Sequence, residues 1–341
     1  MSNFDELFRS MDPSKTGGWQ ATEAEREFTL VTTLMSPHTN SPSEATVTVT
    51  APRRRWGLGL SAVAAMTVCA FAAVNVFGPN APQPTLAVTP AALHYSTSGK
   101  SAKTVLEELA RAAEAGSRES VDGQALYFKH EMWALSTRID GVQVTSAIIP
   151  EVRETWQKPD GSAKWKAKTK APVFENDAQR RIWEGSGSVG KTSETWSGKS
   201  DPADMSNLRN KPAPTDPAGM TRWLSVNYES FGPGQLFDSI SERNLSHLFS
   251  PQQRAALLRV LADTEGIAYR GEATDRAGRP GVSFSVDSDY GGLPGKHTLI
   301  FDAHNGKLLA YEEELTKTAG RLNVSIPSVI LYVNYLEARP Q

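Results

Sequence analysis

The sequence predicts an α+β protein: a single transmembrane helix followed by an extracytoplasmic domain built on a curved antiparallel sheet with helices packed on one face. Three observations carry this prediction. An uncharged, apolar run at residues 56–78 follows directly on Arg53, Arg54 and Arg55. Alternation with a period of two recurs at 163–169 and again at 282–286. Capped helix signals lie between the strand signals, an order of strands, helices, then strands that belongs to the α+β class.

Residues 1–55 form a short polar segment with two helical signals, at 5–10 and 22–35. The stretch 36–52, rich in Ser, Thr and Pro, reads as a disordered tether. Residues 57–77 as a helix span roughly 32 Å at ~1.5 Å per residue, close to a ~30 Å hydrocarbon core. No lysine or arginine occurs between Arg55 and Lys100. That asymmetry places the N-terminus in the cytoplasm and the C-terminal domain outside, with the helix as a signal anchor of a single-pass cell-membrane protein. Trp56 would mark the inner headgroup level, and Pro79 would end the helix. A cleaved signal peptide does not fit so long a leader. The other readings are a twin-arginine signal at 53–55, a lipid-modified Cys69 (opposed by bulky Val68 before it), and a buried core helix.

Residues 79–100, with Pro79, Pro82, Pro84 and Pro90, read as an extended linker. The domain at 101–341 opens with a helix over 101–115, with Val105, Leu106, Leu109 and Ala113 on one face. Strands are expected at 125–137 and 142–156, followed by a turn at Lys158-Pro159-Asp160-Gly161. At 163–169, Ala163, Trp165, Ala167 and Thr169 alternate with Lys164, Lys166 and Lys168, and Lys170 continues the lysine row; one face is wet. Asp216-Pro217 and Ser250-Pro251-Gln252-Gln253 are helix starts. Strands return at 282–286, at 299–302 and 307–313 around His304-Asn305-Gly306, and at 324–335 with a bend near Pro327. The sheet is expected to hold about six to eight strands.

The single cysteine, Cys69, excludes a disulfide framework and a Cys-based zinc site. A formal net charge of -2 gives no basis for binding nucleic acid. Residues 185–192, Gly-Ser-Gly-Ser-Val-Gly-Lys-Thr, match the phosphate-loop pattern of nucleotide hydrolases, but the preceding residues are too polar for a buried strand and Gly198 and Pro202 oppose a following helix. The match is a decoy. No two of the six histidines lie at metal-ligand helical spacing. Glu312-Glu313-Glu314 reads as a solvated strand edge rather than an acid/base pair. No Gly-x-Ser-x-Gly elbow occurs. The sequence therefore points to no enzyme, no cofactor and no metal. Trp133, Trp156 and Trp165 are candidates for an apolar groove holding a lipid or other envelope ligand, against the plainer reading that they pack the sheet on its helices. The row Lys164 to Lys170 reads as a protected sheet edge, with contact to anionic lipid as the alternative.

Thr89-Pro90, Leu93 and Tyr95, then Pro214-Thr215-Asp216-Pro217, and Phe301-Asp302 with Asn305-Gly306-Lys307-Leu308-Leu309 together resemble a group of uncharacterised actinobacterial single-pass membrane proteins. The resemblance implies genes beside extracytoplasmic-function sigma factors and hence a regulatory or sensor role, anti-sigma-factor-like. The element order is also similar to the half-barrel of lipoprotein carriers and envelope-stress regulators, which implies the alternative of a membrane-tethered lipid or lipoprotein carrier. Zinc-binding anti-sigma factors carry His-x-x-x-Cys-x-x-Cys, which residues 1–55 lack. In the regulatory reading the apolar stripe Phe28, Leu30, Val31 and Leu34 binds a cytoplasmic sigma factor. The other expected partner is the lipid bilayer.

Overall fold

The computed structural model describes residues 89–96, 99–116, 123–140, 143–174, 177–185, 195–200, 211–226, 232–320, 322 and 324–341. Helix α1 (Ala102–Glu114) starts where the Ser101 hydroxyl accepts a hydrogen bond from the Thr104 amide, and it buries Val105, Leu106, Leu109, Ala110 and Ala113 along one stripe. Strands β1 (Leu126–Asp140), β2 (Gln143–Gln157) and β3 (Ala163–Thr169) follow as a meander. Between β2 and β3 the turn closes as Gly161, at φ 84°, donates its amide to the Lys158 carbonyl, a left-handed conformation that glycine adopts without cost. Helix α2 (Asp177–Gly185) and strand β4 (Thr195–Ser200) complete this half.

Three helices come next. The side chain of Asp216 caps α3 (Pro217–Leu224) by accepting from the Gly219 amide, and Pro217 sits where a missing N–H costs nothing. In α4 (Pro233–Asn244) the Gln235 side chain accepts from the Gly232 amide, and α5 (Pro251–Ala262) has a reciprocal capping box between Ser250 and Gln253. A second meander then runs through β5 (Ala268–Thr274), β6 (Pro280–Ser288), β7 (Gly295–Phe301), β8 (Leu308–Leu315) and β9 (Ser328–Pro340).

All the pairings are antiparallel, and the strand order is β4-β3-β2-β1-β9-β8-β7-β6-β5. The first and last strands of the domain, β1 and β9, join the two meanders side by side. On one face Val282, Phe284, Val286, Leu299, Phe301 and Tyr311 pack with α1, α3, α4 and α5 into the main core. Trp183 of α2 covers Ala147 and Ile149 on that same face of β2. The opposite face carries no described helix. Residues 89–96 and described residues of the loop after β8 lie over it instead: Leu93 and Tyr95 lie on Ala273, Ile300, Leu309 and Ala310, while Leu322 and Val324 lie on Leu135, Ile148 and Ile330.

The predicted fold class is corrected on two counts. Among the described residues no helix is long and apolar enough to cross a membrane. The longest, α1, has 13 residues, a length of ~20 Å against a ~30 Å core, and its apolar stripe is consumed by the domain interior. The span expected at 57–77 lies outside the described residues. The single-pass, signal-anchor architecture, its orientation and the cell-membrane location drawn from it therefore have no support in the fold. The half-barrel-like sheet of six to eight strands is corrected too: the structure is one open sheet of nine described strands with β4 and β5 at its edges. Those two edge strands have polar sequences, Thr-Trp-Ser-Gly-Lys-Ser and Ala-Tyr-Arg-Gly-Glu-Ala-Thr, without a clear alternation, and they account for the extra width.

Candidate functional site

The register assigns each strand residue to a face, because directly opposed residues of an antiparallel pair point the same way. Tyr127 opposes Trp156, Trp156 opposes Lys164, and Trp133 opposes Tyr332. These residues share the helix-free face with Lys166, which opposes Glu154, and Lys168, which opposes Val152. Trp133 and Tyr332 stack with centroids 5.5 Å apart and planes at 27°. Tyr127 and Trp156 lie tilted at 5.6 Å. The Arg339 guanidinium sits 4.8 Å from the Tyr127 ring and that of Arg276 5.1 Å from Tyr332. Burial and a hydrogen bond donated to Glu154 push the Tyr127 hydroxyl up to about 12, so it remains a neutral donor. Trp133 and Trp156 are half-buried, while Lys164, Lys166 and Lys168 are exposed.

Trp165, the third candidate groove residue, points to the other face. It lies under the Arg153 guanidinium at 5.2 Å. The structure thus brings Trp133 and Trp156 to one face and separates Trp165 from them. Phe28, Leu30, Val31 and Leu34 lie outside the described residues.

The row Lys164 to Lys170 does not protect an edge. Strand β3 is flanked by β2 and β4 on its two sides. The Glu312-Glu313-Glu314 run is not a solvated edge either, because β8 lies between β7 and β9. Glu312 is 4% exposed and Glu314 6%. Glu312 meets Arg276 at 2.6 Å and Glu314 meets Lys296 at 3.1 Å, both on the helix-free face. Burial dominates the Glu312 carboxyl and raises it to about 7 against the pull of Arg276. Glu313 faces the helices, where burial and then Asp238 raise it to about 8. The sequence signal for this burial is the apolar residues that bracket the acidic run, Leu308, Leu309, Ala310 and Tyr311 before it and Leu315 after it.

Of the phosphate-loop match at 185–192, residues 186–192 lie outside the described residues. Its surroundings are described: helix α2 precedes it and strand β4 follows, the reverse of the strand–loop–helix order that a phosphate cradle requires. Among the described residues no cluster of His, Cys, Asp and Glu could hold a metal ion. His130 and His297 are buried, and burial lowers them to about 3 and about 4, which keeps both neutral; His297 Nδ1 lies 2.7 Å from the Tyr311 hydroxyl. Asn334, on the helix-free face between Glu131 and Ala310, is fully buried with neither side-chain amide atom hydrogen-bonded to protein.

No family model matches the chain, and no curated protein and no solved structure matches it.

Proposed function

We propose that the chain is a non-catalytic binding protein for anionic lipid, with the helix-free face of β1, β2, β3 and β9 as the contact surface. The supporting observation is that half-buried Trp133 and Trp156 share this face with exposed Lys164, Lys166 and Lys168. Flat aromatic side chains supply apolar area with a polar tip, and lysines supply positive charge on long apolar stems. The interior position of β3 removes the need for lysines as edge guards, which strengthens the lipid reading of this row. A lysine held near an anionic surface contributes about 1 kcal/mol. The triple variant Lys164→Gln/Lys166→Gln/Lys168→Gln should therefore lose on the order of 100-fold in affinity for phosphatidylglycerol vesicles. Trp156→Ala should weaken the same binding with its salt dependence retained. Co-sedimentation checks both; equal binding to phosphatidylglycerol and phosphatidylcholine, or none to either, would overturn the reading.

A regulatory reading rests on the sequence stripe Phe28, Leu30, Val31 and Leu34. It expects recovery of a sigma factor with the intact chain and none with Leu30→Asp/Leu34→Asp. Equal recovery with both forms removes the stripe as the partner surface.

A further inference from the structure

A cavity of about 500 Å³ lies between helix α1 and the outer edge of the second meander, on the side of the sheet opposite to Lys164, Lys166 and Lys168. That volume falls within the ~300–1,000 Å³ of small-molecule sites. The floor is apolar, made by the buried side chains Val105 and Leu109 of α1 and Val282 of β6. Tyr269 of β5 forms a wall, its ring 5.3 Å from that of Phe284. The rim is polar and exposed, with Ser96, Lys100, Glu108 and Glu272.

A bulge in β5 assembles this wall. Tyr269 and Glu272 are three residues apart, and an uninterrupted strand would turn them to opposite faces. The register of β5 on β6 shifts between Tyr269 and Gly271. Before the shift Tyr269 opposes Phe284, and after it Glu272 opposes Val282. Both partners belong to the main core on the helix side, so the bulge aims Tyr269 and Glu272 into one space. Arg270 is sent to the other face, where its guanidinium lies 5.4 Å from the Tyr95 ring. Gly271 adopts φ 96°, and a side chain there would strike the Ser96 carbonyl oxygen. That close approach lets the Ser96 amide donate to the Glu272 carbonyl at 3.0 Å and the Ser96 hydroxyl accept from the Glu272 amide at 3.0 Å. The backbone at Ser96 thereby closes the cavity beside Glu272.

The charges around the mouth do not cancel. Lys100 Nζ meets Glu108 at 3.1 Å. Glu272 forms no ion pair with a described residue, and the Tyr269 hydroxyl forms no hydrogen bond with one. Glu272, Lys100 and Glu108 all act electrostatically on that hydroxyl, which places the three charges around it. One carboxylate is left in excess above an apolar floor. We propose that this cavity binds a small amphiphilic amine, with its ammonium at Glu272 and the Tyr269 hydroxyl and its apolar body on Val105, Leu109 and Val282. An anionic ligand of the same shape meets the Glu272 carboxylate and finds only Lys100, already engaged. A neutral one gains the floor without the charge.

Calorimetric titration of the full chain with hexylammonium, hexanol and hexanoate, three probes of one chain length, tests the site. Hexylammonium should bind about five- to tenfold more tightly than hexanol, a modest factor because Glu272 is exposed, and hexanoate should bind most weakly. Glu272→Gln should bring hexylammonium down to the affinity of hexanol. Ala303→Trp, which fills the mouth from the exposed rim, should abolish binding of all three probes. Both substitutions are at exposed positions, and circular dichroism checks that the variants keep the native fold. No binding of hexylammonium, no preference for it over hexanol, or a preference that survives Glu272→Gln overturns the proposal. Lys164→Gln/Lys166→Gln/Lys168→Gln should leave hexylammonium binding unchanged, so this site and the lipid surface stand or fall separately.

Discussion

Replacing Arg279 with Ala should destabilise the domain by about 3–5 kcal/mol, among the largest losses expected of any single side chain outside the apolar core. Arg279 ties the turn between β5 and β6 to two other strands, β8 and β9. Its Nε donates to Asp275 at 2.7 Å, Nη1 to the Tyr335 carbonyl of β9 at 2.7 Å, and Nη2 to the Leu309 carbonyl of β8 at 2.7 Å. The Asp275 side chain is fully buried and also accepts from the Ala277 and Arg279 amides. Truncation leaves a buried carboxylate without its countercharge and removes the side-chain donor from two carbonyls, so desolvation is uncompensated at three places. Arg279→Lys should recover less than half of the loss, since an ammonium cannot reproduce the planar fork. Urea unfolding measures both. A loss below about 1 kcal/mol for Arg279→Ala would mean that water replaces the side chain and that the turn is held by its backbone alone.

Elements with a strong period or a cap were legible in the sequence, and those without either were not. Strict alternation at 163–169 marks β3 with the bounds found, and the capping box at Ser250 marks the start of α5. The helix expected over 101–115 is present as α1, whose cap and apolar stripe agree with each other. By contrast α2 carries no clear signal, because in its short polar run Asp-Ala-Gln-Arg-Arg-Ile-Trp-Glu-Gly Trp183 is the one buried residue among those described. Helix α4 was missed as well: it starts at Gly232-Pro233-Gly234, which reads as a turn, and close packing of Gly234 against Ser288 and Tyr290 is what requires the glycine. The last strand begins at Ser328, beyond Pro327 rather than before it, and runs on to Pro340, paired with the start of β1. That pairing spans almost the whole domain, and no local pattern encodes it.

The site was legible only as an inventory of residue types. Sequence spacing identifies Trp133, Trp156 and Trp165 as aromatic positions on strands, yet which face each takes depends on register. Trp156 and Trp165 fall on opposite faces because Trp156 opposes Lys164 across β2 and β3. The acidic run misled for a related reason. Three consecutive carboxylates resemble a solvated edge until topology places β8 in mid-sheet, where Arg276 and Lys296 arrive from other segments to neutralise Glu312 and Glu314. Local charge cannot reveal a partner tens of residues away.

Phe284→Ala should cost about 3–5 kcal/mol, the range for removing a buried aromatic side chain without collapse of the site. Phe284 is fully buried on β6. Its ring lies 5.3 Å from Tyr269 of β5 and 6.1 Å from Phe301 of β7, beneath the helix layer of the main core. Collapse is resisted because both neighbouring rings are carried by hydrogen-bonded strands on either side. Phe284→Leu retains most of the volume and should cost less than half as much. The midpoint of urea unfolding should fall with its slope unchanged, since the native contact surface and the unfolded chain stay nearly the same. Because side chains alternate along a strand, the adjacent Ser283 and Ser285 belong to the other face with Thr298 and Glu312. Phe284→Ala should therefore leave the Arg276–Glu312 contact on the other face in place while the domain is folded. A change in the slope of the transition would show instead that the substitution alters the native contact surface or the unfolded chain, and not the packing of one side chain alone.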